Sequence, residues 1–483
     1  MSQIYDVLII GSGVVGSAIA REMSRYDLKI GVLEKNRDVI NETSGRNSAV
    51  IHAGFAYETG TLKAQFCMEG NTSFDALAKE LDIPFKRTGK VLVGNTKQDY
   101  EGLQKTIENG IKNGCVGLEM IDKECLHQLV PAVVGEFAML SPQSGIVDPF
   151  QYTIGLAENA KMNGVDFYFD HEVIGIDRLD DGISNIHTIQ GEFNTRWVIN
   201  SAGLGSVEIS EMLGIGGYHM EPTKGNYIIL DKRLGDLLPM PVYPVPSTTY
   251  MGVHVTPTTQ GNVIVGPDAE RVNNKSYYGV AQKDMDFLAE SASDLWPHIK
   301  KADYIRNYCG IQTTWKDGEN VIKDFVIEAR EEVPNTINLI GIESPGLTSA
   351  LPIARRVVKL FTDIETLHPN KNFNPIRKGI IRFSKQSDEE KAHLISENSD
   401  YGELICRCEM VTKAEILQAV HNPLGVDTMT GIKYRTRSMM GRCQGGYCQA
   451  KIAQIIEEEL KKDVTEILYA RNGSYMFTGR VRE

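Results

Sequence analysis

The chain has 483 residues, 42% of them hydrophobic, and a formal net charge of −12. That length provides roughly two to four structural units with ample core, and the acidic balance argues against a nucleic-acid surface. No stretch approaches ~18 uninterrupted apolar residues, so no membrane-spanning helix is predicted; Met1-Ser-Gln leads straight into an apolar run, so no signal or transit peptide is expected and a cytoplasmic location is the simplest.

The first apolar run, Val7 to Ile10, breaks at Gly11-Ser-Gly13-Val-Val-Gly16, a helical pattern follows, and a second run, Ile30 to Leu33, ends on Glu34. This reads as strand, tight turn, helix, strand. The first glycine makes the turn, the second admits a pyrophosphate to the backbone, and the third lets helix pack on strand. The helix N-terminus faces the phosphates, and Glu34 stands where an acid accepts hydrogen bonds from an adenosine ribose. The pattern predicts dinucleotide binding without choosing the dinucleotide.

Thr43-Ser-Gly-Arg-Asn-Ser-Ala-Val-Ile-His-Ala-Gly54 is mostly small and polar, like a loop wrapped along an extended cofactor, and His52 is its only group titrating near neutrality. Residues 60–140 read as mainly helical with a strand at Lys90 to Val93. Gly145 to Pro149 reads as a turn before a helix from Gln151 to Asn163. Strands are predicted at Val165 to Tyr168, Val173 to Asp177 and Asn194 to Asn200, the last stopping at Ser201-Ala-Gly-Leu-Gly205, where backbone can approach a nucleotide again. From 221 to 330 the period changes to short strands, at Tyr227 to Leu230, Val253 to Thr256, Val263 to Val265 and Asp324 to Ile327, punctuated by prolines. They predict an antiparallel sheet inserted into the nucleotide-binding domain as a roof for substrate. The strand Ile337 to Gly341, a glycine turn and a helix through Leu360 return to the first pattern.

Residues 364–400 read as a polar linker. Beyond them lies a compact unit, about 401–460, with helices over Thr412 to Val420, opened by a capping-box pattern, and Gln449 to Leu460. Of eight cysteines, Cys67, Cys115, Cys125 and Cys309 are scattered, whereas Cys406-x-Cys408 and Cys443-x4-Cys448 stand thirty-four residues apart. Two thiolate pairs on two loops suit a [2Fe–2S] cluster, in which each iron takes two sulfurs. Zinc would also accept four cysteines, but Cys-x-Cys departs from its usual spacing. Lys433, Arg435, Arg437 and Arg442, ahead of the second pair, read as a solvated face or as counter-charge to a cluster.

IIGSGVVGSAIARE, TSGRNSAVIHAG, INSAGLGS, MEPTKGNYIIL, GVHVTPTTQGNVIVGPDA and LIGIESPGLTSALPIA carry a resemblance. Over residues 1 to about 365 the chain resembles the D-amino-acid-oxidase-like FAD oxidoreductases, in the glycerol-3-phosphate dehydrogenase or oxidase and L-2-hydroxyglutarate dehydrogenase branches. Residues 404–450 resemble the module of bacterioferritin-associated ferredoxin, which also ends the catalytic subunit of anaerobic glycerol-3-phosphate dehydrogenase. The resemblance implies an α/β chain: a Rossmann-like FAD-binding domain with an inserted antiparallel-sheet substrate domain and a small α-helical iron–sulfur domain. The implied division is 1–370 for the oxidoreductase (FAD-binding about 1–75, 145–220 and 330–365; substrate parts about 76–144 and 221–329), 371–400 linker, 401–460 cluster domain and 461–483 tail.

It further implies FAD held by Gly11, Gly13, Val14, Val15, Gly16, Glu34 and Lys35 at the ADP half. Val173 would lie at the adenine, Ala202 and Gly203 at the pyrophosphate, and Ser44, Asn47, Ser48, Gly341, Gly346, Leu347, Thr348 and Ser349 around the flavin. Cys406, Cys408, Cys443 and Cys448 would bind a [2Fe–2S] cluster. His52 is the expected base and His254, in a GVHxT pattern like that of the hydroxyglutarate branch, the second candidate or an orienting group. Lys224, Gln312 and Thr348 would meet the substrate. These enzymes commonly carry an arginine where this chain has Gln312, and a neutral amide does not replace a guanidinium fork. The expected reaction is FAD-dependent oxidation of a small secondary alcohol, foremost glycerol 3-phosphate, with electrons leaving through the cluster to a partner subunit, which would tie the chain to a membrane only peripherally. Alternatives are L-2-hydroxyglutarate or another 2-hydroxy acid, an amine or proline-like substrate, and a non-catalytic electron-transfer subunit.

Overall fold

The computed structural model describes residues 3–179, 182–246, 252–317, 320–322 and 324–479. Two large sheets and a helical C-terminal unit make up the architecture. The first sheet has parallel Ile4–Ile10 at its centre, between Gly191–Asn200 (Ile4 opposite Asn194, Ile10 opposite Asn200) and Ile30–Leu33 (Val7 opposite Ile30). Asp166–Tyr168 extends it beyond Ile30–Leu33, and Thr336–Ile340 pairs parallel with the far end of Gly191–Asn200. Both faces of these strands are covered, so they are apolar throughout rather than alternating. Helices Val14–Met23, Pro149–Met162 and Gly346–Thr362 pack over one face around Val7, Ile9, Ile19, Leu156 and Ile353.

The second sheet joins two separate stretches of chain. In order it runs Glu270–Arg271, Thr223–Leu230, Val263–Gly266, His254–Pro257, Val242–Pro244, Lys90–Gly94, Phe137–Ser141 and Glu119–Asp122, with Tyr304–Gln312 also on Thr223–Leu230. The pairings are antiparallel except that of Val242–Pro244 with Lys90–Gly94, which is parallel. That junction sets Lys90 and Tyr243 on neighbouring strands. The strands Glu119–Asp122 and Phe137–Ser141 fall where the sequence reads as helical, and Gly145–Val147 is a strand rather than a turn. All three run five residues or fewer, too short to display a period, and each is defined by its partner across the ladder.

The C-terminal unit packs helices Lys413–Val420, Met429–Thr436 and Gln449–Leu460 around Ile416, Ile432, Ile452 and Ile456. Thr412 and Glu415 form the capping box read from the sequence. The stretch read as a linker contains a helix, Asp388–Glu397, opened by a Ser387/Glu390 box; none of its residues is buried, which is why it shows no apolar period. Arg377 straps this stretch down, its guanidinium on Glu158 at 2.6 and 2.9 Å. The unit docks through Arg435, which forks onto Asp38 at 2.7 and 3.1 Å, and through Tyr434, stacked on Phe150 at 4.4 Å.

Candidate active site

The turn after the first strand leaves no room for side chains. Gly11 has φ +98°, and a Cβ there would lie 2.7 Å from the Ser201 carbonyl oxygen, while one on Gly16 would run into the Gly11 carbonyl. The Val14 N–H donates to Ser44 Oγ at 2.9 Å, pinning the Thr43–Gly45 turn across the helix start. Glu34 accepts four hydrogen bonds of 2.9 Å, from Ser12 N–H and Oγ and from the Asn36 backbone and side-chain nitrogens. Burial nevertheless pushes its pKa up.

A cavity of about 760 Å³ opens between this turn and the second sheet. Gly13, Val14, Val15, Ser44, Asn47, Ser48 and Gly203 line it from the nucleotide-binding side, and Gly346 and Leu347 from the N-terminal turn of Gly346–Thr362. His52, Lys90, Lys224, His254 and Gln312 line the remainder. The strand Tyr304–Gln312 lies hard against the polar loop: Tyr308 donates to the Asn47 carbonyl at 2.8 Å, Thr43 Oγ1 to that of Ile311 at 2.8 Å, and a Cβ on Gly310 would run into the Arg46 carbonyl.

His52 is clamped by its backbone. Its N–H donates to Thr348 Oγ1 at 3.0 Å and its carbonyl accepts from Asn71 Nδ2 at 2.8 Å. Burial first, then Lys90 and His254, hold its pKa well below 6.5. His254 places Nδ1 3.2 Å from the Gly252 carbonyl and stacks on Tyr243 at 3.8 Å between ring centroids. Burial pushes its pKa down to about 3. A neutral ring that donates Nδ1–H to a carbonyl keeps its lone pair on Nε2, and among the described residues Nε2 is buried without a hydrogen-bond partner. The cavity thus holds two imidazoles that are both unprotonated at neutral pH.

The other residues singled out by sequence divide by position. Lys224 Nζ is held by Glu270 at 2.8 Å and the Gly279 carbonyl at 3.3 Å. Gln312 ends its strand opposite Thr223. Gly11, Gly16, Ala202, Thr348 and Ser349 are not among the residues that line the cavity, Ser349 Oγ is buried without a partner, and Lys35 pairs with Glu42 at 2.8 Å. Val173 is packed with Tyr5 and Leu8, and Gly341, at φ +69°, has Trp315 where a Cβ would stand. Sequence reasoning missed Lys90 and Tyr243. The available signal for Lys90 was a lysine opening Lys-Val-Leu-Val-Gly, a strand every residue of which is buried.

The four clustered cysteines meet as two pairs, Cys406 with Cys448 and Cys408 with Cys443. Cys406 and Cys448 are buried; Cys408 is exposed and Cys443 half-buried. Backbone N–H groups of Glu409 and Met439 point at Cys406, and those of Gly445 and Tyr447 at Cys443. Met410, Met439 and Gln444 have positive φ in these turns. Among the described residues no three His, Cys, Asp or Glu side chains close on one metal-ion position.

The pattern described as "FAD dependent oxidoreductase" matches residues 6–360, and that of the "BFD-like [2Fe-2S] binding domain" residues 404–458. The chain belongs to the FAD-dependent oxidoreductases. It is 38% identical over 479 residues to a glycerol 3-phosphate dehydrogenase of Caloramator mitchellensis, covering 98% of each chain, and 30% identical over 393 residues to an L-2-hydroxyglutarate dehydrogenase of Indibacter alkaliphilus, covering 73% of this chain and 98% of the relative. Among solved structures it resembles the dithionite-reduced, FAD-bound L-alpha-glycerophosphate oxidase from Mycoplasma pneumoniae (TM-score 0.73, 27% identity, 77% of this chain and 98% of that one).

The geometry of this FAD-dependent oxidoreductase fits both cofactors. For FAD, Gly203 has nothing within 4 Å of where a Cβ would be, Ser206 Oγ faces the same cavity buried and unpartnered, and two helix N-termini border it. For the [2Fe–2S] cluster, two thiol pairs offer each iron its two sulfurs. Of the basic residues ahead of the second cysteine pair, Arg435 is buried on Asp38, Arg437 bonds to Asn262 at 3.2 Å and Arg442 reaches Asp231 at 2.9 Å, so these three fasten the unit to the rest of the chain; Lys433 is buried, and Arg442 is the one that also faces solvent. Among the described residues no helix is long and apolar enough to cross a membrane.

Proposed function

We propose that this FAD-dependent oxidoreductase is a dehydrogenase of glycerol 3-phosphate that sends its electrons through the [2Fe–2S] cluster to a partner protein. FAD supplies the two-electron acceptor for the carbinol hydrogen. Removing that hydrogen as hydride from a neutral alcohol would leave a protonated carbonyl, so a base must take the hydroxyl proton. The two unprotonated imidazoles in one cavity carry this reading. His52 is the proton acceptor, held on Thr348 and Asn71, and His254, with its Nε2 lone pair unpartnered, is the second candidate for that one hydroxyl proton. The roles assigned from sequence to the nucleotide-binding, flavin-side and cluster residues stand as part of this proposal, as does the division of the chain into domains.

Support for glycerol 3-phosphate is the likeness to the Caloramator enzyme along nearly the whole of both chains, C-terminal unit included. Support for the onward route is the strand Tyr304–Gln312, which touches both redox units. Tyr308 bonds to the Asn47 carbonyl, and Arg306, two residues away, reaches Gln444, the neighbour of Cys443, at 3.3 Å. Residues two apart on a strand are on one face, about 7 Å from each other. The test is anaerobic titration of the holoenzyme with glycerol 3-phosphate, L-2-hydroxyglutarate and L-proline, following flavin bleaching and cluster reduction. Bleaching by glycerol 3-phosphate is expected. Bleaching by another compound instead would refute the substrate, and a cluster that stays oxidised while the flavin is bleached would refute the relay.

A further inference from the structure

Among the described residues four cations line the active-site cavity, and three of them are engaged by the protein itself. Lys63 is on Glu343 at 2.6 Å, Lys224 is on Glu270, and Arg46 is spread over the Tyr278 ring at 4.3 Å with its Nε on the Asn41 carbonyl at 3.1 Å. Lys90 is different. Its side chain is buried, and its ammonium faces the ring of Phe55 at 4.6 Å and that of Tyr243 at 4.4 Å. Among the described residues it has no carboxylate and no hydrogen-bond acceptor. Ring faces return only part of what an ammonium loses on leaving water. The remainder is what an anionic ligand entering the cavity would offset.

We propose that Lys90 is the cation that receives the substrate's anionic group, a phosphate or a carboxylate. It thereby fills the part left open by Gln312, in place of Lys224. The inference rests on the reading of the cavity as the site of alcohol oxidation, and it specifies the substrate class as a small anion carrying a hydroxyl-bearing carbon. The geometry couples recognition to chemistry. Tyr243, which receives the ammonium on its ring, stacks on His254, and Lys90 acts electrostatically on both His254 and His52. An anion seated on Lys90 therefore brings the rest of a small substrate to the two imidazoles. It also offsets the Lys90 charge, which adds to burial in lowering the proton affinity of both rings.

Burial lowers the Lys90 pKa to about 8, so the group is mainly charged at neutral pH and loses its charge over the next two units. Among the described residues the titratable groups facing it are Cys67, His52, His254 and Tyr243. Burial raises the thiol and the phenol and lowers both imidazoles, so none of these changes charge between pH 7.5 and 9.5.

The experiment titrates oxidised, FAD-loaded wild type, K90M and K90R with inorganic phosphate, glycerol 3-phosphate, L-2-hydroxyglutarate, L-proline and neutral glycerol, following the flavin spectrum and then anaerobic bleaching. The K90M change should weaken the anions about 10- to 100-fold, the span expected for hydrogen bonds to a charged group, leave glycerol unaffected, and be partly reversed in K90R. Wild-type affinity for anions should fall as pH rises from 7.5 to 9.5, a readout that holds even if K90M loses its flavin. Unchanged anion affinity in K90M, or a flat pH profile, overturns the assignment to Lys90. A wild type bleached by L-2-hydroxyglutarate or L-proline rather than glycerol 3-phosphate, with that compound weakened in K90M, refutes the proposed substrate and supports Lys90. Weakening in K224M without weakening in K90M returns the role to Lys224 and overturns the inference.

Discussion

Replacing Arg435 by Met should loosen the C-terminal unit from the rest of the chain. Arg435 is 1% exposed and its guanidinium forks onto Asp38, 3% exposed, at 2.7 and 3.1 Å. With the guanidinium gone, Asp38 keeps the Val39 N–H at 2.8 Å and, among the described residues, no cation, while Glu158 keeps Arg377. Stranding one member of a buried pair costs about 3–5 kcal/mol. With a urea slope of about 3 kcal/mol per molar, the midpoint should fall by roughly 1–1.7 M. Visible circular dichroism of the cluster follows this unit alone. Replacing both partners, R435M with D38L, removes the stranded charge and should recover most of the loss. A midpoint for R435M within about 0.3 M of wild type would refute the reasoning, because it would put the pair below about 1 kcal/mol.

His52→Gln should slow anaerobic flavin reduction by about 10²-fold or more; stopped-flow absorbance is the check, and an unchanged reductive rate would remove His52 from proton transfer. His254 is buried neutral with its pKa lowered to about 3, so the unfolded chain binds the extra proton first. Its contribution to stability is complete above about pH 6.5 and is lost as pH falls from there towards 3; a His254→Phe variant should show a shallower acid-side loss in thermal melts from pH 6.5 to 4.5, and an identical slope would contradict the burial argument. Cys448→Ala leaves the buried pair with one sulfur and should abolish the cluster while FAD stays bound, checked by iron and acid-labile sulfide analysis beside the flavin spectrum.

The nucleotide-binding half was legible because its signals are local. Three glycines, a buried strand on either side and an acid at the strand end are forced on the chain within some thirty residues, and Gly11 and Gly16 prove to sit where a side chain would strike the Ser201 and Gly11 carbonyls. The capping box at Thr412 and the paired spacing of the cysteines were readable for the same reason. Short strands such as Glu119–Asp122 were not, because four residues with one buried side chain carry no period and owe their conformation to Phe137–Ser141 beside them.

Charge was the least legible property, because a sequence shows that a side chain is ionic without showing what it faces. Arg435, Arg437 and Arg442 read only as a run of basic residues, and the sequence did not show that they pair with Asp38, Glu409 and Asp231. Lys224 read as a free cation for substrate and is held by Glu270. Lys90 drew no notice, yet its burial without a counter-ion makes it the most informative of the five. An ion pair accounts for a buried charge within the protein; a buried charge facing only ring faces, in a cavity shared with two unprotonated imidazoles, needs a partner from outside it. The substrate's charge is therefore to be sought from the uncompensated cation rather than from the position an arginine holds in relatives. Under the Lys90 proposal, Gln312 in place of that arginine corresponds to a cation carried by the strand Lys90–Gly94 instead of the strand Tyr304–Gln312, within the same second sheet.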